Sequence, residues 1–225
     1  GLDEESFSFE DVGSPFDFEN QALLYCASHL PDPRNQNYRE ELHDEIERLI
    51  IAAGGRTLAL FTSRRALDEA TSYLRPRLPF TIFHQDDLPK PALISAFSRE
   101  EESCLFGTKG LWHGIDIPGP SCSLVIIDRI PFPSPADPLL SARREKIGDS
   151  SFREIDLPIA ATELSQGVGR LIRSTSDFGV VAVLDSRLAK TDSYRGQLLE
   201  ALPPMTRTTD LESVTSYLER IETRL

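Results

Sequence analysis

The chain has 225 residues, 36 acidic and 24 basic side chains, 40% hydrophobic and 27% charged content, the composition of a globular protein able to bury a core without staples. Its longest apolar runs, such as Leu124–Ile127, fall far short of the roughly 20 residues that span a bilayer, and the acidic N-terminus has no secretory apolar region. The net charge of −12 is local: residues 1–50 carry 13 acids and 3 bases, residues 51–225 carry 23 and 21, so a basic groove in the larger part is not excluded.

Residues 1–20 lack periodicity and read as a lead-in, with one domain expected over 21–225. Ala22–Cys26 reads as a strand, and a Pro-rich loop follows over 27–35. From about Gln36 to Ala53, Tyr38, Leu42, Ile46, Leu49 and Ile50 share a helical face, and Gly54-Gly55 is a stop. Thr57–Phe61 is a buried strand, and Thr62-Ser63 caps a helix to about Leu74. The spacing predicts a strand over 80–83, a helix over 89–97, and strands over 103–106 and 122–128.

The proline run at 131–138 is an extended loop. Helices are expected at 138–146 and 158–173, a strand at 179–185, and helices at 191–201 and 210–222. Strand and helix alternate, and the strands are continuously apolar. That order predicts an α/β domain with a mainly parallel sheet covered on both faces.

Three segments carry chemistry. In Gln166–Arg173 (QGVGRLIR), a continuous helix puts Gln166, Arg170 and Arg173 on one face, with Gly167 and Gly169 leaving it open. Two converging guanidiniums suit a polyphosphate; they equally suit ordinary salt bridges on a solvated helix. Gly107–Gly119 (GTKGLWHGIDIPG) follows a strand end, where open α/β sheets place ligands. Thr108 and Lys109 are donors there, and Asp116 is an acceptor for a ribose hydroxyl or an arginine. Its plainer reading is a glycine-rich turn anchored by Trp112. In Phe61–Arg65 (FTSRR), a strand enters a capped helix, a phosphate-binding geometry or a plain N-cap.

The sequence contains no G-x-x-x-x-G-K-[ST], no Asp-Glu pair after the strand ending at Asp128, no G-x-S-x-G, and no metal spacing among His29, His43, His84 and His113. Cys26, Cys104 and Cys122 are widely spaced and form no CxxC. They read as reduced, mostly buried thiols in a cytoplasmic protein, with no metal bound by this chain.

Taken in order, these segments resemble motifs IV, V and VI of superfamily 2 helicases, in the second RecA-like lobe of the DinG/XPD type. Leu58–Leu67 (LALFTSRRAL) resembles motif IV, Phe106–Gly119 motif V and Gln166–Ser174 motif VI. Ile130–Leu139, Gly13–Phe16 and Leu184–Arg187 add further DinG-like signatures, so the resemblance runs from about residue 13 to 205.

The resemblance implies a RecA-like (P-loop NTPase-type) three-layer sandwich lacking its own Walker A. It implies ATP with Mg2+ bound by an N-terminal RecA-like lobe of a longer parent, which is also where an iron–sulfur cluster would sit. Gln166, Arg170 and Arg173 match residues that reach the γ-phosphate, the arginines as fingers. Gly114 and Asp116 match residues linking nucleotide to DNA. Thr62, Ser63, Thr108 and Lys109 match positions near a single-stranded DNA backbone. His113 departs from the acidic residue usual before the Gly-x-Asp of motif V. The alternatives are a lobe that docks DNA or protein without hydrolysis, and an unrelated enzyme whose arginines bind a phosphorylated metabolite.

Overall fold

The computed structural model describes residues 14–112 and 122–223. Among the described residues seven strands form one parallel sheet: β1 (Ala22–Cys26), β2 (Thr57–Phe61), β3 (Thr81–His84), β4 (Ser103–Thr108), β5 (Leu124–Ile127), β6 (Gly179–Val183) and β7 (Thr206–Thr208), in the order β3-β4-β2-β5-β6-β1-β7. The central strands are buried along their whole length. Because side chains alternate in a strand, their unbroken apolar sequence supplies two cores. Leu58, Leu60, Val125, Ile127, Val181 and Val183 face one layer, and Ala59, Phe61, Ile126, Val180 and Ala182 face the other.

The second layer is closed by α2 (Tyr38–Ala52), α3 (Arg64–Leu74) and α10 (Leu211–Glu222). All five periodic residues of α2 are buried there. Gly54 and Gly55 end that helix at φ +61° and +83°, conformations open to glycine without strain. The first layer is closed by α4 (Lys90–Arg99), α5 (Lys109–Trp112), α7 (Leu157–Val168), α8 (Arg187–Lys190) and α9 (Asp192–Glu200). Helix α6 (Pro138–Ile147) starts on Asp137, whose carboxylate accepts the Leu140 N–H at 3.0 Å, with Pro138 in the first turn, where a missing N–H costs nothing.

Sequence reading missed α1 (Phe18–Gln21), the π-helical turn Phe152–Asp156, and the three-residue edge strand β7. The first two are single turns, too short for a periodic signal, and the β7 sequence Thr-Arg-Thr carries no apolar pattern. The largest correction concerns the helix expected over 158–173. It ends at Val168.

Candidate functional site

Helix α7 runs back across the sheet, so its C-terminal end lies at the edge where the strands begin. There the Gly169 N–H still reaches Ser165 O at 2.9 Å. The next two bonds, Arg170 N–H to Gly167 O (3.1 Å) and Leu171 N–H to Val168 O (3.2 Å), tighten into a turn. Gln166, Arg170 and Arg173 therefore do not share one helical face. Gln166 is on the last helical turn, Arg170 on the tight turn, and Arg173 on the exit.

The cause is local. Two glycines in three residues weaken the helix, and Asp177 offers a competing acceptor. Its Oδ2 takes the N–H groups of Arg173 and Ser174, both at 2.7 Å, and Oδ1 takes the Ser174 hydroxyl at 2.8 Å. Gly167 is buried, so it leaves no open face; Gly169 is exposed.

The three residues lie along the end of α7 and the turn that follows it, and each is half-buried. Leu171 and Ile172, both 3% exposed, pin the turn to the core. A Cβ at Gly179 would lie 2.6 Å from Leu171 Cδ1 and would collide with Ser123 O, so only glycine admits this approach. The charges of Arg173 and Asp177 both act on the Cys122 thiol, which puts the turn beside the start of β5. The Gln21 side-chain amide donates to the carbonyls of Asp177 (2.9 Å) and Thr175 (3.0 Å), with Ser174 O at 3.4 Å. Neither Gln21 nor Asp177 was picked out from sequence; an aspartate four residues after the second arginine, ahead of a Gly-led strand, was the available signal. Gly114 and Asp116, with His113, lie outside the described residues.

The other predicted residues sit at the opposite edge, where strands end. Thr62 follows β2; its N–H and Oγ1 donate to the Asp128 carboxylate at 2.8 and 3.1 Å, and Arg129 Nη2 donates to Thr62 Oγ1 at 2.9 Å. Ser63 Oγ caps α3 by accepting the Ala66 N–H at 3.2 Å. Thr108 gives its N–H and hydroxyl to Gln85 Oε1 at 2.7 and 3.0 Å. Lys109 Nζ pairs with Glu163 at 2.5 Å. Thr62, Ser63 and Thr108 thus spend their hydroxyls inside the chain. Asp128 is fully buried, and burial pushes its carboxyl up to about 6 against the pull of Arg129 and the Thr62 hydrogen bonds.

Beside Thr62 a groove of about 1000 Å³ opens at this edge, with Arg34, Arg129, Arg144 and Arg187 in its walls. Asp185, fully buried, holds Arg187 through Nε (2.9 Å) and Nη2 (2.7 Å). The Tyr38 hydroxyl lies 2.7 Å from Asp128 O and 2.9 Å from Leu184 O, fixing both strand ends. The sequence signal for these arginines was an aspartate closing an apolar strand with an arginine one or two residues on, Asp128-Arg129 and Asp185-Ser186-Arg187.

The three cysteines are buried: Cys26 ends β1, Cys104 is near the start of β4, and Cys122 precedes β5. Burial pushes Cys26 up to about 11, Cys122 up to about 12, and Cys104 higher still. Among the described residues no helix is long and apolar enough to cross a membrane.

A parallel sheet in this order, covered by helices on both faces, is the RecA-like fold of a helicase C-terminal lobe. The chain belongs to the helicase C-terminal domain family, whose model matches residues 46–205. It is 48% identical over 215 residues to the ATP-dependent helicase DinG of Mycobacterium tuberculosis H37Rv, covering 94% of this chain and 32% of that protein. It is 36% identical over 208 residues to the ATP-dependent DNA helicase YoaA of Escherichia coli K12, covering 91% and 32%. The chain thus spans about a third of the length of these curated relatives. Among solved structures, an XPD helicase superposes with a TM-score of 0.63 at 21% identity over 84% of this chain and 35% of that one. Saccharomyces cerevisiae Dbp5 bound to RNA and ADP BeF3 superposes with 0.58 at 17% identity, over 91% and 46%. These likenesses are of fold.

Proposed function

We propose that this chain is the second motor lobe of an ATP-dependent DNA helicase. In this reading residues 21–225 act as one domain with 1–20 as its lead-in, and ATP with Mg2+ is held by an N-terminal RecA-like lobe of the same parent. Gln166, Arg170 and Arg173 close on the γ-phosphate, where two permanently charged guanidiniums stabilise the charge spread over its oxygens in the transition state. Gly114 and Asp116 join the nucleotide side to the strand side. Single-stranded DNA runs over the opposite edge, past Thr62, Ser63, Thr108 and Lys109. Because the three hydroxyl side chains of that set are bonded within the chain, their part is to shape the edge, with main-chain groups and nearby arginines meeting phosphates.

The observation that supports this reading best is the placement of Arg170 and Arg173 on one turn at the edge where the strands begin, in a sequence with no Walker A motif. Neither arginine has a phosphate to act on without a second lobe, so the isolated chain binds ATP weakly and does not turn it over. The test is single-strand-stimulated ATPase activity of the parent, wild type against Arg170→Ala and Arg173→Ala. Stimulation that collapses in both variants supports the reading. Its absence in wild type moves the function to a non-hydrolysing docking lobe.

A further inference from the structure

Gln21 stands one residue ahead of β1 and is 4% exposed. The register of β1 on β6 pairs Ala22 with Gly179, so the sheet itself brings Gln21 beside the residues that lead into β6. Those residues, 174–178, join the turn bearing Arg173 to the strand. Leu171 and Ile172 are buried on one side of this loop and Gly179 on the other, whereas every residue from Arg173 to Phe178 is half-buried or exposed. Apolar burial stops on either side of the loop, so hydrogen bonds set its path.

The side-chain amide of Gln21 matches that loop. Its Oε1 accepts the Asp17 N–H at 2.9 Å, which turns the two N–H donors of Nε2 toward the loop. They meet Asp177 O at 2.9 Å and Thr175 O at 3.0 Å, with Ser174 O at the longer 3.4 Å. Two donors thus face two acceptors at ordinary hydrogen-bond length. The Gln21 carbonyl accepts the Tyr217 hydroxyl at 3.2 Å, so the residue is held from α10 as well as from the sheet. Asp177 passes the restraint on. Its carbonyl accepts from Gln21, and its carboxylate accepts the Arg173 N–H at 2.7 Å. One residue therefore separates the Gln21 amide from the main chain of Arg173.

We propose that Gln21 is a positioning residue for ATP hydrolysis in the parent: it fixes the main chain from which Arg173 projects, and with it the approach of that guanidinium to the γ-phosphate. The proposal rests on the reading that Arg173 acts there. Gln21 itself touches no phosphate. Its effect passes through Asp177, and a misplacement of about 1 Å at an acting group is enough to slow a reaction. A bond that served stability alone would act on the nucleotide-free and nucleotide-bound protein alike; a positioning bond acts where the arginine meets the transferring phosphoryl group.

The test is a double-mutant cycle on the full parent protein, read by the binding of mant-ADP with Mg2+, alone and with aluminium fluoride as a mimic of the transferring phosphoryl group. Gln21→Met keeps the side-chain length and removes the donors. It is expected to weaken the aluminium fluoride complex about tenfold and to leave mant-ADP alone unchanged. In an Arg173→Ala background the same substitution is expected to add no further loss, because coupled residues are not additive. Should Gln21→Met fail to melt cooperatively, Gln21→Asn, which keeps the amide one methylene short, takes its place with the same readouts. Equal losses on both probes, or losses that add in the double variant, would make Gln21 a stabilising contact only and overturn the proposal. If Arg173→Ala weakens the aluminium fluoride complex and the Gln21 variants match wild type, the positioning role is overturned and the arginine reading stands. If Arg173→Ala matches wild type, the arginine reading fails and the proposal with it.

Discussion

Asp177 Oδ2 holds the main-chain N–H groups of Arg173 and Ser174 at 2.7 Å each, and this carboxylate, rather than helix continuation, sets the path of the second arginine. Asp177→Ala removes the shared acceptor and leaves two amides unmatched at a half-buried turn. A loss of about 1–3 kcal/mol is expected, because an unmet buried donor carries its full desolvation cost. Thermal melts of this chain measure it. In the parent, the same change is expected to lower kcat, since Arg173 loses its fixed approach.

Arg173→Ala in the parent is expected to reduce kcat by about a thousandfold, the scale of an arginine acting on a transferring phosphoryl group, with KM for ATP changed far less. Steady-state kinetics separate the two parameters. A rise in KM alone would make Arg173 a ground-state contact.

Asp128 predicts a pH dependence of stability. Its carboxyl titrates near 6 when folded, against an ordinary 3.8. Between those values the folded protein holds a proton that the unfolded chain has released. Stability from this group is therefore greatest below about pH 4 and declines as pH climbs to 6, by roughly 3 kcal/mol. Asp128→Asn abolishes that slope, so its stability relative to wild type improves by a similar amount from pH 4 to 7. Urea titrations at pH 4.5 and 7 reveal the change; parallel curves for the two proteins would contradict it.

Arg56 stands at φ +34° and is 8% exposed, with Nε and Nη1 meeting no hydrogen-bond partner among the described residues. Arg56→Gly relieves both the backbone strain and the buried charge, and is expected to raise stability by about 1 kcal/mol. Arg56→Ala, which keeps the strain, should gain less. Differential scanning calorimetry compares them, and a lower Tm for the glycine variant than for wild type would contradict the account.

The sheet was legible in the sequence because its strands are apolar without interruption. Leu124–Ile127 and Val180–Val183 could be nothing but doubly covered strands, and the alternation of strands with helices left a parallel order as the expected outcome. The end of α7 was not legible, because the 3.6-residue pattern of Leu164, Val168, Leu171 and Ile172 continues through the break. Leu171 and Ile172 are buried as that pattern demands, but by a turn, and the carboxylate that makes the turn lies outside the pattern. The groove arginines were hidden for a related reason: their partners, Asp128 and Asp185, take them up at positions that read as the polar ends of strands.

The Gln21 amide, bonded to the carbonyls of Thr175 and Asp177, joins the entry of the polypeptide to the turn that bears Arg173. The lead-in also packs Phe16 and Phe18 against the first hydrophobic layer, so the amide adds a polar link to the turn beside an apolar one. A pull on residues ahead of Gln21 would be felt at that turn, which makes the incoming chain a tether on the arginine-bearing edge as well as a connector.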